Sequence, residues 1–167
     1  MTTTEERSLL PIDGQTEERL ALPYASAGLR IVAAILDLIV LGSIFLLFAA
    51  AAGFYLLTQT DWGNDYAYTT GEEYTTLAIL FSYFFFVPIY FFSCWWWRGQ
   101  TVGQMAVRIM VTDRDGYHLT IWQTLRRTIL LPLSVLPLGI GFLPMFFDPQ
   151  ARALHDMLAG TVVLELP

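Results

Sequence analysis

IVAAILDLIVLGSIFLLFAAAAGFYLL, residues 31–57, decides the fold of this chain. It holds one charge, Asp37, in a run longer than the roughly 20 apolar residues that a helix needs to cross the hydrocarbon of a bilayer. Two more runs follow: YTTLAILFSYFFFVPIYFFSCWWW at 74–97 and TILLPLSVLPLGIGFLPMFF at 128–147, both uncharged. None alternates polar and apolar residues as a barrel strand does, so the backbone must satisfy itself within lipid as helix. The third run is interrupted by Pro132, Pro137 and Pro144, with Gly139 and Gly141 between them. Each proline removes a backbone donor, and the glycines loosen the chain. The expected class is an all-α membrane protein. It has two transmembrane helices, a broken third hydrophobic segment (a re-entrant hairpin or a kinked span) and a small cytoplasmic β-hairpin or sheet.

Bulk composition agrees. Hydrophobic residues make up 55% of the 167, and charged residues only 14%, against about 25% in soluble domains. Mean hydropathy is +0.52. The nine basic residues are all arginine, and fifteen acids give a net charge of -6, which disfavours nucleic acid as a partner. The lone Cys94 reads as a small hydrophobe. His118 and His155 have no partners at metal-ligand spacing, and no nucleophile stands at a recognisable elbow. Neither an enzyme, a metal site nor a cofactor is expected. Residues 1–22, polar and acidic, read as a disordered cytoplasmic tail ahead of a membrane domain at 23–167.

The arginines set the orientation. The segment 58–73 has no basic residue and carries Asp61, Asp65, Glu72 and Glu73. The segment 98–127 holds Arg98, Arg108, Arg114, Arg126 and Arg127. Positive charge stays inside. The N-terminus and 98–127 are therefore expected in the cytoplasm and 58–73 outside, in a multi-pass protein of the plasma (inner) membrane. RIMVTD at 108–113, then Asp115-Gly116, then YHLT at 117–120 read as a hairpin, with TVVLEL at 161–166 as a third strand. Those strands pair only on one side of a membrane, which favours re-entry for the third run. TVGQMAVRI and IWQTLRR read as short interfacial helices.

Three charges stand out. Asp37 lies at membrane depth, where a charge costs roughly 2.5–3.5 kcal/mol on insertion scales. Arg30 is two helical turns earlier on nearly the same face. Asp156 follows His155 in ARALHDMLAGT, where small residues allow a close backbone approach, and it could meet Arg30 or an arginine of 98–127. Asp37 reads either as a proton- or cation-binding carboxylate or as a member of a packing network.

AGLRIVAAILDLIVLG, RGQTVGQMAVRIMVTDRDGYHLT, the Arg126-Arg127 pair opening the third run, and LHDMLAGT occur in that order. In this the chain resembles the RDD family of small membrane proteins, named for one arginine and two aspartates, over roughly residues 22–165. The resemblance maps those three onto Arg30, Asp37 and Asp156, with Arg126, Arg127, His155 and Thr161 as secondary polar candidates. One departure is the absence of lysine: Gln104 is neutral where the family is habitually basic. The resemblance implies a transport role, such as sodium/proton exchange, using an intramembrane Arg-Asp pair. The alternative is a non-enzymatic scaffold or accessory subunit in which these residues are structural. The expected partners are the lipid bilayer and either further copies of the chain or a larger membrane complex.

Overall fold

A computed structural model of the chain describes residues 22–59, 70–135 and 139–167. The tail expected to be disordered lies, up to residue 21, outside them. So do residues 60–69 of the acidic loop and the Pro137-Leu138 part of the expected break.

Two long helices dominate: α1 at Ala27–Gln59 and α2 at Thr70–Arg98. Their apolar stretches, Ala27–Thr58 and Tyr74–Arg98, are long and apolar enough to cross a membrane. At 1.5 Å per residue the shorter one exceeds the roughly 30 Å hydrocarbon core. Only 17% and 6% of their most apolar windows are buried within the chain, so most of their surface faces outward. They pack through aromatic rings, Tyr83 lying edge-on to Phe45 and Phe48 at 5.1 and 6.0 Å. The Tyr83 hydroxyl donates to the Leu41 carbonyl at 2.8 Å.

The remaining elements gather at one end. They are α3 (Val102–Ala106), β1 (Ile109–Asp113), α4 (Ile121–Val135), a 3-10 helix (Ile140–Phe146), α5 (Leu154–Ala159) and β2 (Thr161–Glu165). β1 and β2 pair antiparallel, with Val111 opposite Val163. The chain entering α1 adds a short third rung: Ala25 N–H donates to Val163 O, and Glu165 N–H to Pro23 O, each at 2.9 Å. All of β1 is buried. Ala25, Ala33, Trp95, Ile109, Val111, Leu119 and Val163 form the core there.

The expected hairpin is corrected. Residues 117–120 form no strand, and the partner of β1 is β2. The cause is local polar chemistry. The Asp113 carboxylate accepts the N–H groups of Asp115 (3.0 Å) and Tyr117 (2.8 Å), which closes the turn. Thr120 then caps α4: its N–H donates to Gln123 Oε1 at 2.9 Å, and Gln123 N–H donates to Thr120 Oγ1 at 3.3 Å. This reciprocal capping box commits the residues after the turn to a helix start. IWQTLRR is thus the opening of α4. VGQMA forms α3, which packs on α1 with Gly103 and Gln104 buried.

The third apolar run is two helices, α4 and the 3-10 helix, bent by 103°. The bend brings Gly141 against Ser134, where a Cβ on Gly141 would meet Ser134 Cβ at 2.7 Å.

Candidate functional site: two buried aspartates

Gly99, Thr101 and Gly103 build the first site. Gly99 ends α2 at φ 69°, and its carbonyl accepts Val111 N–H at 2.8 Å, so β1 starts beside the helix end. Thr101 caps α3 in a box with Gln104. Its hydroxyl accepts Gln104 N–H at 3.3 Å and donates to Asp37 Oδ2 at 2.5 Å. Gly103 N–H donates to Asp37 Oδ1 at 2.8 Å. The Tyr90 hydroxyl donates to the same oxygen at 2.7 Å and accepts Val102 N–H at 3.1 Å. Asp37 is 5% exposed. Among the described residues, its hydrogen-bond partners are two hydroxyls and one backbone amide, all neutral.

Asp156 is held differently. Its Oδ2 receives Arg30 Nη2, and its Oδ1 receives Arg127 Nη1. Arg30 Nη1 also donates to the Ala151 carbonyl. Ala151 sits at φ 48°, a left-handed conformation that turns this loop, and Asp148 and Arg152 brace it with paired hydrogen bonds of 2.9 Å. Asp156 also accepts Ala153 N–H at 2.9 Å, capping α5, and Arg127 donates to Thr161 Oγ1 at 2.7 Å. Asp156 is fully buried and Arg127 is 2% exposed. Burial pushes the Asp156 carboxyl up, but the Arg127 and Arg30 guanidiniums outweigh it and hold the group well below the usual carboxylate range.

His155 stands beside this clamp. Its Nδ1 lies 2.9 Å from the Ser134 hydroxyl, and its ring meets Phe142 edge-on at 5.6 Å. Burial pushes its pKa down to about 3, and the neutral ring is the resident form. Such a group favours the folded state above its unfolded pKa near 6.5. That contribution fades as pH falls from about 6.5 towards 3, because the unfolded chain takes up the proton first. His155→Gln, which keeps a polar partner for Ser134 but does not titrate, should therefore flatten the fall of thermal stability with acid between pH 6.5 and 4. The check is the melting temperature in detergent against pH, with wild type losing at most about 1.4 kcal/mol per pH unit from this group.

Trp95 joins the two sites. Its indole N–H donates to Gln104 Oε1 at 3.1 Å, and the Arg127 guanidinium lies over its ring at 4.5 Å. Among the described residues Arg127 Nε has no hydrogen-bond partner.

The expected Arg30–Asp37 pair is absent. The two residues share a helix, but Arg30 turns to Asp156. Arg127 completes the clamp, whereas Arg126 is exposed. His155 and Thr161 sit within hydrogen-bond reach of the clamp. Tyr90 was not singled out in the sequence; Thr101 and Gly103 stood in the Gly-x-Thr-x-Gly part of RGQTVGQ without a role, and Trp95 read as an interfacial ring, whereas it is buried. For Thr101 a signal existed, because Thr101-Val-Gly-Gln104 is a capping-box pattern. Tyr90 is hidden in an aromatic run.

A family model described as the RDD family matches residues 24–160. The chain belongs to the RDD family. No curated protein and no solved structure matches it. In this RDD membrane protein Asp156 takes Arg30, and Asp37 takes Thr101 and Gly103. The Gln104 amide oxygen accepts from Thr101 N–H at 2.9 Å and from the Trp95 indole N–H.

Proposed function

We propose that this RDD protein is a non-enzymatic subunit of a transport assembly in the plasma (inner) membrane, with Asp37 as the carboxylate that takes up a proton or a monovalent cation. The observation that carries this is the contrast between the aspartates. Two guanidiniums offset Asp156. An ionised Asp37 holds a buried charge facing neutral groups, and a buried charge without a counter-charge is costly. A proton or a cation removes that cost. The Thr101 and Tyr90 hydroxyls suit exchange, because each can donate to a carboxylate or turn a lone pair to a cation. In this proposal 98–127 is cytoplasmic and 58–73 outside, and the gathering of arginines in 98–127 supports that. Among the described residues the two long helices face outward over most of their surface, so in this proposal further copies or partner subunits complete the path.

The test is sodium-dependent proton flux in proteoliposomes, with the folded amount measured in parallel. Asp37→Asn is expected to lose the flux at a normal folded amount. Equal flux in the variant and wild type would end the proposal. A second reading rests on Gly103. A Cβ there would meet Asp37 Cγ at 2.9 Å and run into the Ala33 carbonyl, so the carboxylate also pins α3 to α1. If that scaffold role were the whole of it, Tyr90→Phe would lower stability alone. On the transport reading it also shifts the sodium concentration for half-maximal flux.

A further inference from the structure

α4 is amphipathic in reverse. Its buried side carries Thr124, Arg127, Thr128 and Ser134. Its outward side carries Trp122, Leu125, Ile129 and Leu133 at helical spacing, with Ile129 65% exposed. Leu143 and Phe146 of the 3-10 helix are also exposed. Polar groups inside and apolar groups outside are the arrangement of an element solvated by lipid. Yet this element does not cross. β1 precedes it and β2 follows it, and the two strands pair, so both ends lie on one side of the membrane. At 15 residues, α4 is about 22 Å long, short of the hydrocarbon thickness. The 3-10 helix then folds back at 103°. α4 also packs on α2, at whose end Trp96, Trp97 and Arg98 are exposed at an interface-type position. One charge interrupts the face: Arg126, one turn after Trp122.

We infer that α4 and the 3-10 helix form a wedge confined to a single leaflet, on the side that holds the sheet. The apolar face lies against acyl chains, and Arg126 sits at the level of the lipid phosphates. The occupant of this face is lipid, not a second copy of the chain, because a charge in its midst needs an anionic or aqueous neighbour and phosphate head groups supply one along a whole leaflet.

Spin labels test this in vesicles containing phosphatidylglycerol, in a Cys94→Ser background. Labels at Leu133→Cys and Phe146→Cys should be reached by oxygen and shielded from a water-soluble nickel chelate. A label at Arg126→Cys should report an intermediate, head-group depth. Strong nickel access at Leu133 and Phe146 would overturn the wedge. So would dipolar broadening between labels with poor oxygen access, which means a second copy covers the face. Independently, cysteines at Arg114 and Pro167 should react with an impermeant maleimide from the same side. Reaction from opposite sides would make the segment a span.

Discussion

Asp156→Asn is expected to be the most damaging single change in this protein, costing about 3–5 kcal/mol, the range for breaking a buried ion pair from one side. The loss leaves Arg127, 2% exposed, and Arg30, 10% exposed, facing each other without a carboxylate between them. Asn offers one acceptor oxygen where two are used, and no charge. α5 also loses its cap from Ala153, worth about 1 kcal/mol. The measurement is the folded fraction recovered in mild detergent, together with the melting temperature. Arg127→Met alone should cost a similar amount. The double variant Arg127→Met with Asp156→Asn should cost clearly less than the sum, since the two groups act on each other. A purely additive result would mean that the clamp is not one unit.

Gly103→Ala is the second large effect expected, although it adds only a methyl group. Its Cβ would run into the Ala33 carbonyl and lie 2.9 Å from the Asp37 backbone nitrogen. Neither atom can swing aside, because both belong to the backbone of α1. The α3 helix must lift, and both the Gly103 and Thr101 hydrogen bonds to Asp37 stretch with it. Overpacking in a tight contact costs typically 1–3 kcal/mol, and here two bonds to a buried carboxylate are added to that. A stability loss of about 3 kcal/mol or more is expected, with loss of any sodium-dependent flux. Gly53→Ala is the control, as a Cβ there meets nothing within 4 Å and Ala favours helix. Equal melting temperatures for Gly103→Ala and wild type would show that α3 is not seated on α1.

Much of this was legible in the sequence. Runs of apolar residues are a signal summed over many positions, so α1 and α2 followed directly. The third run was expected to be broken, and its two helices are bent by 103°, while the β-branched tail foretold β2. Asp156 meeting Arg30 or a later arginine followed from the small residues around it, and the structure supplies both partners. What misled was short-range likeness. Asp115-Gly116 does make a turn, but Thr120-Ile-Trp-Gln123 is a helix start, and two competing local patterns overlapped within a few residues. Arg30 and Asp37 lie on one helix at a suitable spacing, yet the longer reach of arginine let a partner over a hundred residues away win. Tyr90 and Trp95 were illegible for a different reason. Their roles depend on which face of α2 meets α1 and α4, and an all-apolar helix carries no stripe to reveal it.

Two arginines face Asp156, whereas among the described residues only neutral donors face Asp37, and infrared difference spectroscopy reads whether Asp37 responds to a cation. On the exchange proposed for Asp37, adding sodium to the protein in lipid films at constant pH should change the carboxyl bands. That change should be present in wild type and lost in Asp37→Asn. A sodium-induced band that persists unchanged in Asp37→Asn, or no carboxyl change in wild type across the pH range where the protein is folded, would contradict an exchanging carboxylate at Asp37.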